Sequence, residues 1–155
     1  MELQKPAILN LISKYLNHTS KETHIIAAIN AASHLHLSEF EKVKSRFYEL
    51  CTSPIQSVRQ TALEGVALTL TQSDKGMKTF LRIPGFLDWL LERSTESEKA
   101  CCELKLIIVQ NLDKFVRNKS IELDGRIVLK IKGFIKDGAF YDSTRPEPQV
   151  THEAN

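Results

Sequence analysis

Ser73-Asp-Lys-Gly-Met-Lys-Thr-Phe-Leu-Arg-Ile-Pro-Gly-Phe-Leu-Asp-Trp-Leu-Leu-Glu-Arg93 is the stretch on which the reading of the chain turns. Pro84 has no amide hydrogen and disfavours helix at the residue before it, while Gly85 accepts backbone angles that other residues resist. The pattern predicts a short amphipathic helix ending near Ile83, a hard corner at Pro84-Gly85, and a second helix crowded with Phe86, Leu87, Trp89, Leu90 and Leu91.

Upstream, Ser53-Pro54 predicts the start of a fourth helix, with serine as cap and proline at the first helical position. It runs to about Leu70 and is apolar around much of its circumference (Ile55, Val58, Ala62, Leu63, Val66, Ala67, Leu70), as a helix buried on two sides would be. Three helices precede it. Leu3 to Leu16 repeats apolar residues at threes and fours, Ile25 to Leu35 carries small alanines that permit close approach, and Ser38 with Glu41 is a capping-box pattern opening a helix through Phe40, Val43, Phe47 and Leu50. The short link predicts that the second and third helices pair antiparallel.

Downstream, Thr95 with Glu98 predicts a capping box at the head of a long seventh helix carrying Ala100, Cys101, Leu104, Ile107, Ile108, Leu112 and Phe115. Beyond Asn118 the pattern is ambiguous. Ile127, Leu129 and Ile131 alternate like a strand, yet Ile127, Ile131, Phe134 and Ile135 share one helix face. A lone strand would have no partner, so an eighth helix ending before Gly138 is expected. From Asp142 the chain is polar and twice interrupted by proline, which predicts a disordered tail.

The recurring grammar is a long apolar helix, a polar break, and one or two shorter helices. Such units cannot bury their apolar faces alone, so neighbours must stack. The expected fold is all-α, an armadillo/HEAT-like solenoid of about eight helices with right-handed superhelical stacking, spanning residues 1–138, with residues 139–155 as tail. The corner segment Phe80 to Ser94 resembles the last repeat of the 26S proteasome non-ATPase regulatory subunit 5 family, and fainter likeness runs through Ala62 to Gly76 and Glu103 to Gly138. Members of that family are several times longer, and the match is to their C-terminal third. The resemblance implies the C-terminal portion of a longer solenoid that carries no chemistry of its own. It also implies a role as an assembly chaperone of the proteasome base, binding an ATPase subunit of the regulatory particle.

Composition sets bounds without naming a function. In 155 residues, 42% are hydrophobic and 26% charged, which suits one soluble helical domain. A formal net charge of +2 gives no strong field for nucleic acid or anionic membrane. Cys51, Cys101 and Cys102 form no disulfide framework, so a reducing cytoplasmic or nuclear compartment is expected. No stretch approaches the roughly 20 apolar residues of a membrane span.

The chain has no G-x-x-x-x-G-K-[ST], G-x-G-x-x-G or G-x-S-x-G. Cys101 falls on an apolar stripe and points away from Cys102, so both read as packing residues rather than metal ligands or nucleophiles. His34 and His36 lie two apart and cannot easily share a metal, while Glu92, Glu96, Glu98 and Glu103 suit the positive end of a helix. Trp89, at helical spacing with Phe86 and Leu90, reads as core. Arg126, Lys130, Lys132 and Lys136 form a basic run that reads first as a solvated face, with a nucleic-acid surface as the alternative. No enzyme activity, cofactor, metal or small-molecule substrate is expected. In an armadillo-like stack the second, fourth and seventh helices would line the groove. The polar positions opposite their stripes, Asn30 and His34, Gln60 and Glu64, and Lys105, are the candidate partner-binding residues. Leu68 and Val109 stand where such helices often carry asparagine.

Overall fold

The computed structural model describes residues 5–17, 20–34 and 41–140. These form eight α-helices and one 3-10 turn, with no strand among the described residues. The helices are α1 (Lys5–Tyr15), α2 (Glu22–Ala32), α3 (Lys44–Cys51), α4 (Gln56–Gln72), α5 (Asp74–Leu81), α6 (Phe86–Leu91), α7 (Lys99–Arg117) and α8 (Gly125–Asp137), the 3-10 turn Arg93–Thr95 lying between α6 and α7. Leu35, His36, the Ser38 half of the expected capping box and the tail from Tyr141 onward lie outside the described residues.

The Pro84-Gly85 corner forms as its chemistry dictates. Gly85 adopts φ 83° and ψ −10°, and the Phe86 amide donates to the Ile83 carbonyl at 3.2 Å. That is a type II turn, with proline at its second position and glycine at the third, where φ must be positive. Ser73 caps α5 by accepting from the Gly76 amide at 3.3 Å. The corner folds Phe86 back onto Phe80, ring centroids 5.3 Å apart, and Tyr48 of α3 meets both Phe86 and Trp89 edge-on at 5.7 and 5.6 Å. Trp89 is thus half-buried in an aromatic cluster. The residues over which strand and helix competed form α8, with Asp124 accepting from the Arg126 amide at its start and Gly138, φ 80°, just past its end.

Two local expectations are corrected. Pro54 does not begin α4: the Ser53 hydroxyl accepts from the Ile55 amide at 3.2 Å, the Ser53 carbonyl accepts from Arg59 at 2.9 Å, and helix starts only at Gln56. Thr95 is not the cap of α7. Its hydroxyl donates to the Glu92 carbonyl at 2.9 Å, and Glu96 instead takes the amides of Ser97 and Glu98 at 3.1 and 3.0 Å.

The long helices α2, α4 and α7 pack in succession, α4 against both neighbours. Their starts lie at one end of the row. Ser57, in the first turn of α4, bonds Glu22 at the first residue of α2, and Arg59 bonds Glu96, just ahead of α7. Further along, Gly65 of α4 faces Ile29 of α2 and Ser33 just past its end. Corresponding helices therefore run parallel, a packing consistent with a stacked helical solenoid. On α4 the shorter helices α3 and α5 also pack, α1 lies on α2, and α8 covers α7 and touches α6.

Gly65 is a spacing requirement. A Cβ there would sit 2.5 Å from Ser33 Oγ and 2.9 Å from Phe47, whose ring is 0% exposed and cannot retreat. Gly133 of α8 is the opposite case, with nothing within 4 Å of the added carbon. Gly65→Ala is accordingly expected to cost about 1–3 kcal/mol by overpacking. Gly133→Ala should gain roughly 0.5–1 kcal/mol from helix propensity alone. Urea unfolding of both variants checks this, and shifts of the same sign would contradict the packing of α2 and α3 on α4.

Candidate interaction surface

The groove candidates divide once side chains are placed. Asn30, His34 and Glu64 are exposed, and Gln60 is half-exposed, donating to Glu64 at 3.1 Å on the same helix. Asn30 follows Ile29 and Glu64 precedes Gly65, the residues through which α2 and α4 touch, so Asn30 and Glu64 lie at about the same level of the row, with His34 a turn further along and Gln60 a turn back. The apolar neighbours Leu68 and Ile107, 40% and 42% exposed, belong to α4 and α7. Val109, expected one turn along the same face, is fully buried.

Lys105 is corrected outright as an exposed groove position. Its side chain is 2% exposed, and its ammonium donates to the Trp89 carbonyl at 2.8 Å, the Glu92 carbonyl at 2.9 Å and Thr95 Oγ1 at 3.0 Å. It also stands 4.5 Å from the Trp89 ring centroid, the cation–π range. All three donors are used. The signal was present in the spacing: Lys105 is four residues from both Cys101 and Val109, members of the buried stripe, whereas Ile107 of the expected stripe faces outward.

Residues 89–96 thus form a polar clasp that ties three helices together. Lys105 of α7 holds the carbonyls at the end of α6. Arg93 donates to the Phe134 and Gly138 carbonyls at 2.7 and 2.6 Å, closing the end of α8, with its guanidinium 3.9 Å from the Phe134 ring centroid. Glu96 receives a bidentate fork from Arg59 of α4, Nε at 2.7 Å and Nη2 at 3.1 Å. Burial would raise the Glu96 pKa, but the hydrogen bonds from Arg59 and the Glu98 and Ser97 amides outweigh it, and the net displacement is downward. Burial pulls Lys105 down to about 8, against the upward pull of Glu96 and its other neighbours.

Cys51 and Cys101 are set in the core, and Cys102 is half-buried. Burial pushes the Cys51 thiol strongly up and carries Cys101 up to about 11, so both are protonated near neutrality and poor nucleophiles. Among the described residues no group of three His, Cys, Asp or Glu side chains is placed to hold a metal, and no helix is long and apolar enough to cross a membrane. Open concavities among the described residues include a cleft of about 460 Å³ between α6 and α8 and an apolar groove of about 290 Å³ between α1 and α2. Neither includes a residue of the predicted set.

In comparison with known proteins, a family model described as proteasome non-ATPase 26S subunit matches residues 1–155. No curated protein and no solved structure gives a match.

The clasp makes two pH-dependent predictions. For Glu96 the folded pKa lies below the unfolded value of about 4.3, so its stabilisation is present above that value and is lost as pH falls through the folded pKa. Glu96→Gln should cost about 3 kcal/mol at pH 7, and the gap to wild type should close in acid. Lys105 has the opposite charge and a lowered pKa, so between about 8 and about 10.4 the unfolded chain holds the extra proton and stability rises with pH. Relative to Lys105→Met, the wild type should gain stability across that window. Thermal melts over a pH series test both, and parallel curves for wild type and variants would refute the assignments.

Proposed function

The chain belongs to the proteasome non-ATPase 26S subunit family, and from that premise we propose that it is a non-catalytic protein-binding scaffold that chaperones assembly of the regulatory-particle base. On this reading its partner is a base ATPase subunit, held by the exposed face of the α2–α4–α7 row. Family membership over the whole chain is the observation that carries the proposal. The row supports it by presenting Asn30, His34, Gln60 and Glu64, with Leu68 and Ile107, on parallel neighbouring helices. Lys105 contributes to that face indirectly, by fixing the end of α6 against α7.

A scaffold of this kind works through shape and surface polarity, with no reacting group. Protonated, buried thiols favour that role over nucleophilic catalysis. A cytoplasmic site of action, extending to the nucleus, is part of the same proposal and agrees with three free cysteines.

The test is a pull-down of the purified chain with each base ATPase subunit expressed separately. Retention of one subunit is expected, with Glu64→Lys combined with Asn30→Asp weakening it about tenfold or more while the melting temperature stays within a degree or so of wild type. Retention of none would overturn the proposal for this chain.

A further inference from the structure

Helix α8 covers α7 with one face and leaves the opposite face uncovered. Ile131 and Phe134 are buried and Ile127, Val128 and Ile135 half-buried, but Leu129 is 70% exposed, the most exposed large apolar side chain among the described residues. At about 100° per residue, Lys132 and Lys136 fall on one flank of Leu129 and Arg126 and Lys130 on the other. All four cations are exposed, and none makes an ion pair among the described residues.

One turn along from Leu129 stands Gly133. Nothing within 4 Å would meet a side chain there, so no internal contact requires glycine at this helical position. A basic face that is merely solvated needs neither a leucine at its centre nor a gap beside it. A docking face uses both, the leucine as an apolar anchor and the gap as a place for a partner's side chain.

We propose that the outer face of α8 binds an acidic amphipathic helix of another protein, with carboxylates flanking an apolar stripe that packs on Leu129 and over Gly133. Charge complementarity selects this occupant and its position. Four cations surround the anchor; Lys130 and Gly133 also line the cleft on the α6 side, whose Asp88, Glu92 and Asp137 repel partner carboxylates, so the partner's acidic side chains gather toward Lys132 and Lys136, the flank away from the cleft. Nucleic acid is a poorer fit because the centre of the patch is aliphatic and carries no stacking ring. A membrane surface is poorer still, since one exposed leucine offers little apolar area to insert. The inference rests on α8 alone and stands apart from the assembly role.

The experiment titrates the full chain into four probes by fluorescence anisotropy and vesicle sedimentation: a labelled helical peptide with glutamates flanking a leucine stripe, the same peptide with lysines for glutamates, a single-stranded oligonucleotide, and phosphatidylserine vesicles. The acidic peptide should bind in preference to the others, and more weakly as salt rises. Leu129→Gln should weaken it about tenfold, and Lys130→Glu with Lys132→Glu more, at unchanged melting temperature because these side chains are exposed. Failure of the acidic peptide to bind, equal binding of its lysine counterpart, indifference to Leu129→Gln, or tighter binding to oligonucleotide or vesicles would each overturn the proposal.

Discussion

A buried ammonium holds the C-terminal half of this protein together. Taking a lysine out of water is costly unless each of its donors finds an acceptor. Lys105 finds three, and two of them are carbonyls at the end of α6. With six residues, α6 is far shorter than a helix that could persist alone. It exists because the Pro84-Gly85 turn starts it, the aromatic cluster of Tyr48, Phe80 and Phe86 anchors its apolar side, and Lys105 closes its far end. The lowered pKa of Lys105 is the sign of what burial costs, and the full set of acceptors is what makes the position tenable.

From that fixed point the connection to α7 distributes contacts outward. Arg93 reaches the last carbonyls of α8, and Glu96 serves both the amides ahead of α7 and the guanidinium of Arg59 on α4. Apolar packing brings α2, α4 and α7 side by side, and Gly65 allows α2 and α3 to approach α4 closely. Packing alone tolerates sliding along a helix. Directional polar contacts at the starts of α4 and α7 fix their relative height, so the two kinds of interaction do different work. The exposed face of the row inherits its geometry from both.

Much of the architecture was legible in the residues. The corner at Pro84-Gly85 and the end of α8 at Gly138 follow from backbone chemistry that tertiary context rarely overrides, whereas the helix through Ile127 to Ile135 followed from the want of a strand partner, its periodicity fitting strand and helix alike. What was not legible involved polar side chains with more than one use. Thr95 looks like a cap, but its hydroxyl is taken by the Glu92 carbonyl and Lys105, and Glu96 accepts the amides of Ser97 and Glu98 just ahead of the helix instead. Pro54 suits a first helical position, yet Arg59 binds the Ser53 carbonyl and holds that segment as a turn. Lys105 was assigned to a polar face by residue type, although its spacing from Cys101 and Val109 put it in the buried stripe. At Thr95 and Pro54 the deciding partners, Lys105 and Arg59, lie outside the four-residue window of a capping motif, whereas at Lys105 the spacing held the signal and the residue type hid it.

Residues 89–96 bind α4, α7 and α8 into one cooperative body through Lys105. Amide hydrogen exchange of wild type and Lys105→Ala compared residue by residue tests it most directly. Faster exchange is expected in α6 and the 3-10 turn, spreading to the start of α4 and the end of α8, while α2 keeps its protection. Acceleration confined to α7, with the ends of α4 and α8 unchanged, would contradict it.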